Sequence, residues 1–297
     1  NITNSGIATY FYQDHKEIYK VHTCKTKEEQ VNTQHTWYMF ENHRWRRQDD
    51  LFEVTNYCLH LKLCYFEILK DYTNKARTAS IEDKKEYEQK KIKPIKKIIN
   101  QLSDVSFWHM VKSALPYLPQ VREDHKGFNP RLHLNKKYNL LVFENGVFDL
   151  DTMCFRNGEL FDNTTQTTLL NYSPSNPTIR RELNEFFAKI LPDENVREFV
   201  LTDLASVMNP SREKSQKFRI WIGEGANGKS TLMNLIYKTM NLEENGYIGT
   251  CNSTLFTRKK KDADNPNPDL YEVLSNEKRF VMMQEPERND SLNTDLV

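Results

Sequence analysis

The stretch that most constrains the fold is GEGANGKST, residues 223–231, which lies between an apolar run and an apolar helical pattern. The chain contains only nine glycines, and three of them fall within the first six residues of this stretch. FRIWI, residues 218–222, precedes it as a predicted buried strand, and Leu232, Leu235 and Ile236 begin a helical stripe after it. A strand, a glycine-rich loop and a helix in this order predict an α/β layer.

The same stretch matches the pattern G-x-x-x-x-G-K-[ST] in full, which is typical of loops that bind nucleotide phosphates. Glycines let the backbone curl its N–H groups around oxygen anions, and the following helix adds the positive end of its dipole. Lys229 would reach the β and γ phosphates and Ser230 would bind Mg²⁺, so ATP and Mg²⁺ are the predicted cofactors. The alternative is a glycine-rich turn with a surface lysine. The predicted nucleotide-binding residues are Gly223, Glu224, Gly225, Ala226, Asn227, Gly228, Lys229, Ser230 and Thr231.

An enzyme with such a loop also needs an acid at the end of a neighbouring strand, and KRFVMMQEPE contains one. Phe280–Met283 is an apolar run that predicts the strand, and Glu285 follows it. We predict Glu285 as the second catalytic residue beside Lys229, either orienting the attacking water or holding Mg²⁺ through its water shell. Many such proteins have Asp directly before this Glu, whereas this chain has Gln284. Glu285 would then both orient the water and hold Mg²⁺, or Glu287 or a later residue would take one of these roles. The alternative is an ordinary strand exit with exposed acids.

The N-terminal half contains signals for both strands and helices. HTWYMFENHRWRRQDD predicts a hairpin that turns at residues 41–43. Apolar residues at helical spacing predict a helix from about Leu51, and Pro94 is expected to kink or break the charged segment 81–97. YNLLVFENGVFDLDT predicts a second hairpin, which turns at residues 144–146.

Two helices are predicted after the turn-rich segment NYSPSNPT. Their apolar stripes are expected to be core rather than a ligand site, and they consist of Leu183, Phe186, Phe187 and Ile190 in the first helix and Phe199, Val200, Leu204 and Val207 in the second. We therefore predict three regions: an N-terminal α+β, collar-like domain over 1–170, a helical linker or oligomerisation region over 171–212, and a partial ATPase domain over 213–297.

The formal net charge of +1 does not indicate a nucleic-acid binder, so any DNA contact must come from local patches. The basic run 258–261 is a candidate for contact with a DNA backbone or a neighbouring subunit, and its alternative is a solvated loop. The lysine-rich segment 84–97 binds DNA or is the solvated face of a helix. Two roles are open for the tryptophans Trp37, Trp45 and Trp108. They could stack on nucleic-acid bases, but we favour packing in the core.

Several classes of protein are disfavoured by the sequence. No apolar run approaches the length of a membrane-spanning helix, and the N-terminus lacks the layout of a secretory signal. The five cysteines are scattered without a CxxC pattern, which predicts reduced thiols in a cytosolic compartment. The eight histidines show no ligand spacing with them, so no structural zinc is expected.

GEGANGKST, the basic loop after it and NPDLYEVLSNEKRFVMMQEPE together resemble the superfamily 3 helicase module, and most of all the poxvirus-type primase-helicases of large DNA viruses and their phage and plasmid relatives. YNLLVFENGVFDLDT, NYSP and two helices resemble the domain that precedes this ATPase. The resemblance covers most of the chain, most strongly 139–287. It implies an AAA+-like ATPase ring, usually a hexamer, with nucleotide between subunits and single-stranded DNA in the channel. Lys229, Ser230 and Glu285 match the family's motif positions and inherit its roles.

The fold class expected from this resemblance is an α/β P-loop NTPase, AAA+-like and incomplete at its C-terminus, after an α+β domain and a short helical linker. About 85 residues follow the linker, whereas a complete core of this kind needs roughly 150 to 200. The family's polar sensor, DNA-contacting hairpin and arginine finger would lie beyond Val297. We therefore expect a part of a longer protein, whose hydrolysis of ATP is slower by about 10³-fold without the finger.

The predicted function is that of an ATP-dependent replicative DNA helicase, or of the helicase part of a viral primase-helicase. The expected partners are single-stranded or fork DNA, further copies of the chain in a hexamer, and primase and polymerase components, with no membrane, at a replication site in the host cytoplasm. The alternative is an assembly or scaffold NTPase that uses nucleotide to lock a ring and dock primase or polymerase. A small-molecule kinase would need a lid and an acceptor pocket, of which the sequence shows no sign.

Overall fold

The protein combines helices and sheets along its whole described length, as the predicted mixture of α and β structure requires. Ten α-helices and eight β-strands occur in the described part of the chain. The structure is a computed structural model that describes residues 2–25, 33–208, 219–223, 228–252 and 277–283. The mixed α/β class is therefore confirmed.

Two compact units make up the chain. Unit 1 comprises Asn1–Met39 and Arg46–Pro130, and unit 2 comprises Phe40–Trp45 and Arg131–Val297. This division does not coincide with the borders at residues 170 and 212 that the sequence predicts for domains. Those borders stay a prediction.

Unit 1 begins with a helix, which is followed by a three-stranded sheet whose strands are in chain order, with the first two antiparallel. Most of this sheet belongs to unit 1, whereas its hairpin tip, Phe40–Trp45, belongs to unit 2. These elements are α1 (Asn4–His15), β1 (Tyr19–Lys25), β2 (Thr33–Glu41) and β3 (Arg44–Gln48). The predicted hairpin turn is confirmed, because Asn42 and His43 between β2 and β3 have φ angles of 47° and 67°. Two successive positive φ angles are typical of the tight turn that matches the twist of a hairpin.

Helices form the rest of unit 1: α2 (Phe52–Thr78), α3 (Ile81–Tyr87), a π-helical turn (Glu88–Ile92), α4 (Lys93–Leu102), α5 (Val105–Ala114) and α6 (Pro119–Asp124). The helix predicted from about Leu51 is confirmed as α2. The predicted interruption near Pro94 takes the form of the π-helical turn, after which Pro94 lies in the first turn of α4. The helical backbone continues from the π-helical turn into α4, and the wider bonding pattern of that turn accommodates the missing N–H of Pro94.

The core of unit 1 lies between the sheet and helices α1, α2 and α5. Phe11, Trp37 and Val54 are among its buried side chains. Trp108 packs against this core, and its indole N–H donates to the Leu102 carbonyl oxygen over 2.8 Å. The interpretation of Trp37 and Trp108 as packing residues rather than base-stacking platforms is therefore confirmed.

Unit 2 contains a second three-stranded sheet of antiparallel neighbours, formed by β4 (Leu140–Phe143), β5 (Gly146–Asp149) and β6 (Cys154–Arg156). The predicted second hairpin is confirmed as β4 and β5. Gly146 is required at its turn, because a Cβ atom there would lie 2.5 Å from Cζ of Phe155 and 2.7 Å from the Arg156 carbonyl oxygen. Trp45 is also buried in unit 2, where its indole N–H donates to the Leu160 carbonyl oxygen over 3.0 Å.

A short helix, α7 (Pro130–His133), precedes β4 in the chain. The two predicted linker helices are present as α8 (Pro177–Ile190) and α9 (Glu194–Met208). The expectation that their apolar stripes form a core is wrong for the described chain, since neither helix has a buried residue. Leu183 is 39% exposed and Phe199 is 69% exposed. The periodic stripe forms the helix, but full burial also needs a second layer. The other stripe residues are half-buried, and among them Ile190 lies against Gly228 at the start of α10.

The C-terminal part of unit 2 contains α10 (Lys229–Met240) and two parallel strands, β7 (Ile248–Cys251) and β8 (Phe280–Met283). Strand β8 confirms the prediction for Phe280–Met283. The predicted strand at 218–222 is not observed in its described residues, 219–222, which are irregular. Ile220 and Ile222 are 61% and 90% exposed, so these residues lack the packing that would make an apolar run a buried strand.

Candidate functional site

The two ends of the GEGANGKST stretch are described, whereas residues 224–227 lie outside the described part of the chain. Gly228 has φ 82° and ψ 3° and is the N-cap of α10. As a glycine, this N-cap residue has no side chain with which to cap the first turn of the helix. The helix therefore begins with backbone N–H groups and a positive dipole end directed at the loop, as an anion-binding helix N-terminus requires.

Lys229 connects the two ends of the loop. Its Nζ donates a hydrogen bond to the carbonyl oxygen of Gly223 over 2.7 Å. The ammonium group is thus held between the entry of the loop and the start of α10, where the cation of a phosphate-binding loop is needed. Ser230 and Thr231 follow on the first turn of α10, and both are exposed.

The last residue of α8 fixes the backbone at Gly228. A Cβ atom at Gly228 would lie 2.9 Å from Cγ1 and 3.1 Å from Cγ2 of Ile190. The left-handed φ angle and this contact both favour glycine. The end of the first linker helix and the start of α10 are therefore in direct contact through Ile190 and Gly228.

The residues present fit an ATP–Mg²⁺ complex in their donor chemistry. A helix N-terminus with glycine at its N-cap and a lysine ammonium suit the phosphates, and the exposed Ser230 hydroxyl is a hard oxygen ligand of the kind that Mg²⁺ prefers. Bound Mg²⁺ would neutralise charge that develops on the transferred phosphoryl group. Lys229, at the mouth of the loop, would orient the same group.

Helix α10 and strands β7 and β8 share one apolar core with β4. Its buried members are Leu141, Met240, Tyr247, Ile248 and Met282. The phenol of Tyr247 is fully buried and accepts a hydrogen bond from the Val142 N–H over 2.8 Å. Burial raises the pKa of this phenol, so it stays neutral. The sheet of β4, β5 and β6 and the layer of α10, β7 and β8 therefore form one packed body.

Three consecutive charged residues anchor the start of β8. The carboxylate of Glu277 is paired with Lys136 and accepts from the Tyr138 hydroxyl over 3.2 Å. The ammonium of Lys278 donates to the carbonyl oxygens of Glu243, Glu244 and Gly246 over 2.7, 2.9 and 3.0 Å. All three ammonium protons of Lys278 are thus used to hold the loop between α10 and β7.

Arg279 completes this anchor from the interior. Its guanidinium lies 4.4 Å from the ring centroid of Tyr247 and donates to the carbonyl oxygens of Met208 and Leu140. Burial lowers the pKa of Arg279, but an arginine stays protonated in a protein. Arg279 therefore joins the end of α9, the start of β4 and the entry to β8.

The loop between α10 and β7 was missed by sequence reasoning. Asn241 has φ 60°, and its side-chain amide donates to the Thr167 carbonyl oxygen over 3.1 Å. A Cβ atom at Gly246 would lie 1.9 Å from the Asn241 carbonyl oxygen, so only glycine fits there. The Asn and Gly in NLEENGY were an available signal for a tight connection, and they define the entry to β7.

Several predicted functional residues lie outside the described part of the chain. These are Glu224, Gly225, Ala226 and Asn227 of the loop, Glu285 with Gln284 and Glu287, and the basic run 258–261. The structure therefore brings together Gly223, Gly228, Lys229, Ser230 and Thr231. The proximity of Glu285 to them stays a prediction.

These features define a mixed α/β protein in which a glycine-rich loop opens a helix that packs against a parallel strand pair. The family model described as "D5 N terminal like" matches residues 21–188, more than half of the chain. The chain therefore belongs to the D5 N-terminal-like family.

Similar proteins occur in large DNA viruses. The chain is 27% identical over 306 residues to "Putative helicase L207/L206" of Acanthamoeba polyphaga mimivirus, which covers 97% of this chain and 28% of that protein. It is 37% identical over 127 residues to "Putative helicase 184R" of Invertebrate iridescent virus 6, covering 40% of this chain and 13% of that protein. "Putative helicase 121R" of Invertebrate iridescent virus 3 is 33% identical over 135 residues, covering 44% and 14%.

These similarities confirm the predicted resemblance to the primase-helicase family of large DNA viruses. The chain spans less than a third of the length of these curated relatives. Among the described helices, none is long and apolar enough to cross a membrane.

Proposed function

We propose that the chain is the nucleotide-binding part of an ATP-dependent DNA helicase, or of the helicase portion of a viral primase-helicase. One observation carries the proposal: the Lys229 ammonium binds the Gly223 carbonyl oxygen across a G-x-x-x-x-G-K-[ST] sequence that ends at the glycine N-cap of α10. The helicase names of the viral relatives support the same reaction class.

The residue roles follow from the chemistry of phosphoryl transfer. Lys229 binds the β and γ phosphates, Ser230 binds Mg²⁺, and the backbone N–H groups of residues 223–231 surround the phosphate oxygens. Glu285 orients the attacking water or holds Mg²⁺ through its water shell. Glu285 follows β8 by two residues, and the anchoring of β8 through Lys278 and Arg279 supports a fixed position for its end.

The proposed assembly is an AAA+-like ring, in the form of a hexamer, that translocates along single-stranded or fork DNA. Primase and polymerase components are its proposed partners, and a replication site in the host cytoplasm is its proposed location. Hydrolysis drives strand separation when nucleotide lies between subunits of such a ring. The viral relatives support this setting through their names and hosts alone.

An assembly NTPase is the second candidate, and exposed apolar side chains on α8 and α9 favour it. Ile179 and Leu183 on α8 are 55% and 39% exposed, and Val196 and Phe199 on α9 are 48% and 69% exposed. Exposed apolar faces of this kind mark protein interaction sites. In this candidate, nucleotide binding locks a ring and docks primase or polymerase, without strand separation.

The decisive experiment is ATP hydrolysis by the full-length parent protein with and without single-stranded DNA. Lys229→Ala is compared with Lys238→Ala, which removes an exposed lysine from the same helix. Stimulation by DNA that is lost in Lys229→Ala and kept in Lys238→Ala supports the helicase. Hydrolysis that is indifferent to DNA supports the assembly NTPase instead, and equal activity of the two variants rejects the phosphate-binding role of Lys229.

A further inference from the structure

A lysine-rich face on unit 1 lies outside the nucleotide site. Residues 89–103 contain five lysines and no acidic residue. The apolar side chains Ile95, Ile99 and Leu102 of α4 are buried against the unit, so the lysines lie on the opposite, solvent-facing side. This arrangement produces a local positive patch that the net charge of +1 conceals.

The lysines of this face differ in how they are neutralised. Lys90 pairs with Glu86 over 2.8 Å, and Lys96 approaches Glu88 at 3.9 Å. Lys91 lies 5.9 Å from the ring centroid of Tyr72. Two lysines remain, Lys93 and Lys97, for which no ion pair exists among the described residues.

Lys93 and Lys97 line a groove of about 280 Å³. The other lining residues are Gln89, Pro94, Ile98 and Gln101. Gln89, Lys93, Lys97 and Gln101 follow one another at intervals of four residues, so the polar groups form a row with about 6 Å between neighbours along the helix. A row of cations and amides at this interval suits a polyanion whose charges repeat along a line, rather than a single small anion.

The groove also has features that suit a nucleotide chain. Pro94 and Ile98 give it apolar surface for sugar or base contact between the charged groups. The amide of Gln101 donates to the Ile2 carbonyl oxygen over 2.9 Å, which holds that end of the row in place. The π-helical turn at Glu88–Ile92 lies beside Gln89, and such turns occur frequently at functional sites.

We propose that the groove of Lys93 and Lys97 binds the phosphate backbone of single-stranded DNA. This contact lies in unit 1, requires no nucleotide, and therefore goes beyond the ATPase proposed above. A solvated helix face would also be rich in lysine, but it would not require two adjacent lysines without acidic partners in one groove beside two amides. The contact would bind a DNA strand independently of the state of the ATP site.

The experiment measures the fluorescence anisotropy of a labelled single-stranded DNA oligonucleotide with the full chain and no nucleotide. Lys93→Ala/Lys97→Ala is compared with Lys84→Ala/Lys85→Ala, which removes the same charge from exposed positions of the neighbouring α3. The first pair should raise the Kd about tenfold and lower the slope of log K against log salt by about 1.4, because each single-strand phosphate contact contributes about 0.7. The control pair should change the Kd by less than about twofold.

Three outcomes overturn the proposal. Equal weakening by both double variants would show binding through overall charge, and no weakening by Lys93→Ala/Lys97→Ala would remove the groove from the contact. Duplex DNA of the same length that binds as tightly would contradict a single-strand site. Lys229→Ala should leave this DNA binding unchanged. The DNA-binding groove and the ATP site can therefore be tested separately, and rejecting one proposal does not reject the other.

Discussion

The guanidinium of Arg279 stacks over the ring of Tyr247, with 4.4 Å between Cζ and the ring centroid. Tyr247 directly precedes β7, and Arg279 directly precedes β8. This cation–π contact therefore adds to the backbone hydrogen bond from the Arg279 N–H to the Tyr247 carbonyl oxygen, 2.8 Å, in fixing the two parallel strands to each other at their entries. Because Arg279 also donates to the Met208 and Leu140 carbonyl oxygens, the same side chain fixes the strand pair to the rest of unit 2.

We expect Arg279→Ala to lower the free energy of unfolding by about 3.5 kcal/mol. A buried cation–π contact contributes about 2 kcal/mol, and hydrogen bonds from a charged donor contribute a further 1.5 kcal/mol or more. Urea denaturation followed by circular dichroism measures the change. Arg180→Ala removes an exposed arginine of α8 and should change stability by less than about 0.5 kcal/mol. Equal midpoints for the two variants would contradict the anchoring role of Arg279.

We expect Gly228→Ala to destabilise the chain more than Gly127→Ala. Both glycines have left-handed φ angles, 82° and 78°, so alanine meets the same backbone penalty of about 1 kcal/mol at each. A Cβ atom at Gly127 has no neighbour within 4 Å, whereas one at Gly228 would press on Ile190. Overpacking of this kind adds about 1 to 3 kcal/mol.

Denaturation of the two glycine variants and titration with a fluorescent ATP analogue test this prediction together. Gly228→Ala should also weaken nucleotide binding, because the loop backbone must shift to relieve the contact. Ile190→Ala in the Gly228→Ala background should restore part of the stability. Identical losses for Gly127→Ala and Gly228→Ala would show that Ile190 does not constrain the loop.

Local signals account for most of what the sequence predicted correctly. The two hairpins follow from short turn motifs, and helix α2 follows from periodic apolar residues. Strand β7 was missed because its four residues contain a glycine and no alternation. The anchor formed by Lys278 and Arg279 was missed because a charged pair in sequence is usually solvent-exposed, and only the tertiary fold brings carbonyl oxygens and an aromatic ring to it.

The sequence indicated the loop of the candidate site but not the tertiary contacts that position it. G-x-x-x-x-G-K-[ST] is a pattern of backbone requirements. Gly228 has a positive φ angle before α10 and Lys229 binds the Gly223 carbonyl oxygen, while the nucleotide-binding role of these residues stays a prediction. The contact between Ile190 and Gly228 joins residues far apart in sequence, which no local pattern encodes. The stripes of α8 and α9 show the same limit, since periodicity predicts a helix face but not its partner.

Stability should fall as the pH is lowered from about 7 to 5. Burial lowers the pKa of His125, although the nearby Asp124 raises it and Lys20 lowers it further. Burial and Arg122 likewise lower the pKa of His35. Each imidazole therefore takes up its proton at a lower pH in the folded chain than in the unfolded chain, whose histidine pKa is about 6.5.

The measurement is urea denaturation at pH 7, 6 and 5. Stability from these histidines is fully present above about pH 6.5 and is lost as the pH falls toward their folded pKa values, by at most about 1.4 kcal/mol per pH unit for each. His125→Gln should make the decline shallower, because glutamine does not titrate. His109→Gln at an exposed position is the control. A decline that is equally steep in His125→Gln would exclude His125 as its cause.

Exposed apolar side chains on α8 and α9 predict self-association of the parent protein. Val196 and Phe199 lie three residues apart on one face of α9. If this face lies in a subunit interface, a carboxylate at position 199 would be buried against apolar surface, which is unfavourable. We expect Phe199→Glu to shift the parent protein from a large oligomer toward the monomer in sedimentation velocity. Phe161→Glu, at a side chain that is 76% exposed elsewhere in unit 2, should leave the oligomer intact. An unchanged oligomer in Phe199→Glu would remove α9 from the interface, and ATP-independent dissociation by both variants would indicate general destabilisation instead.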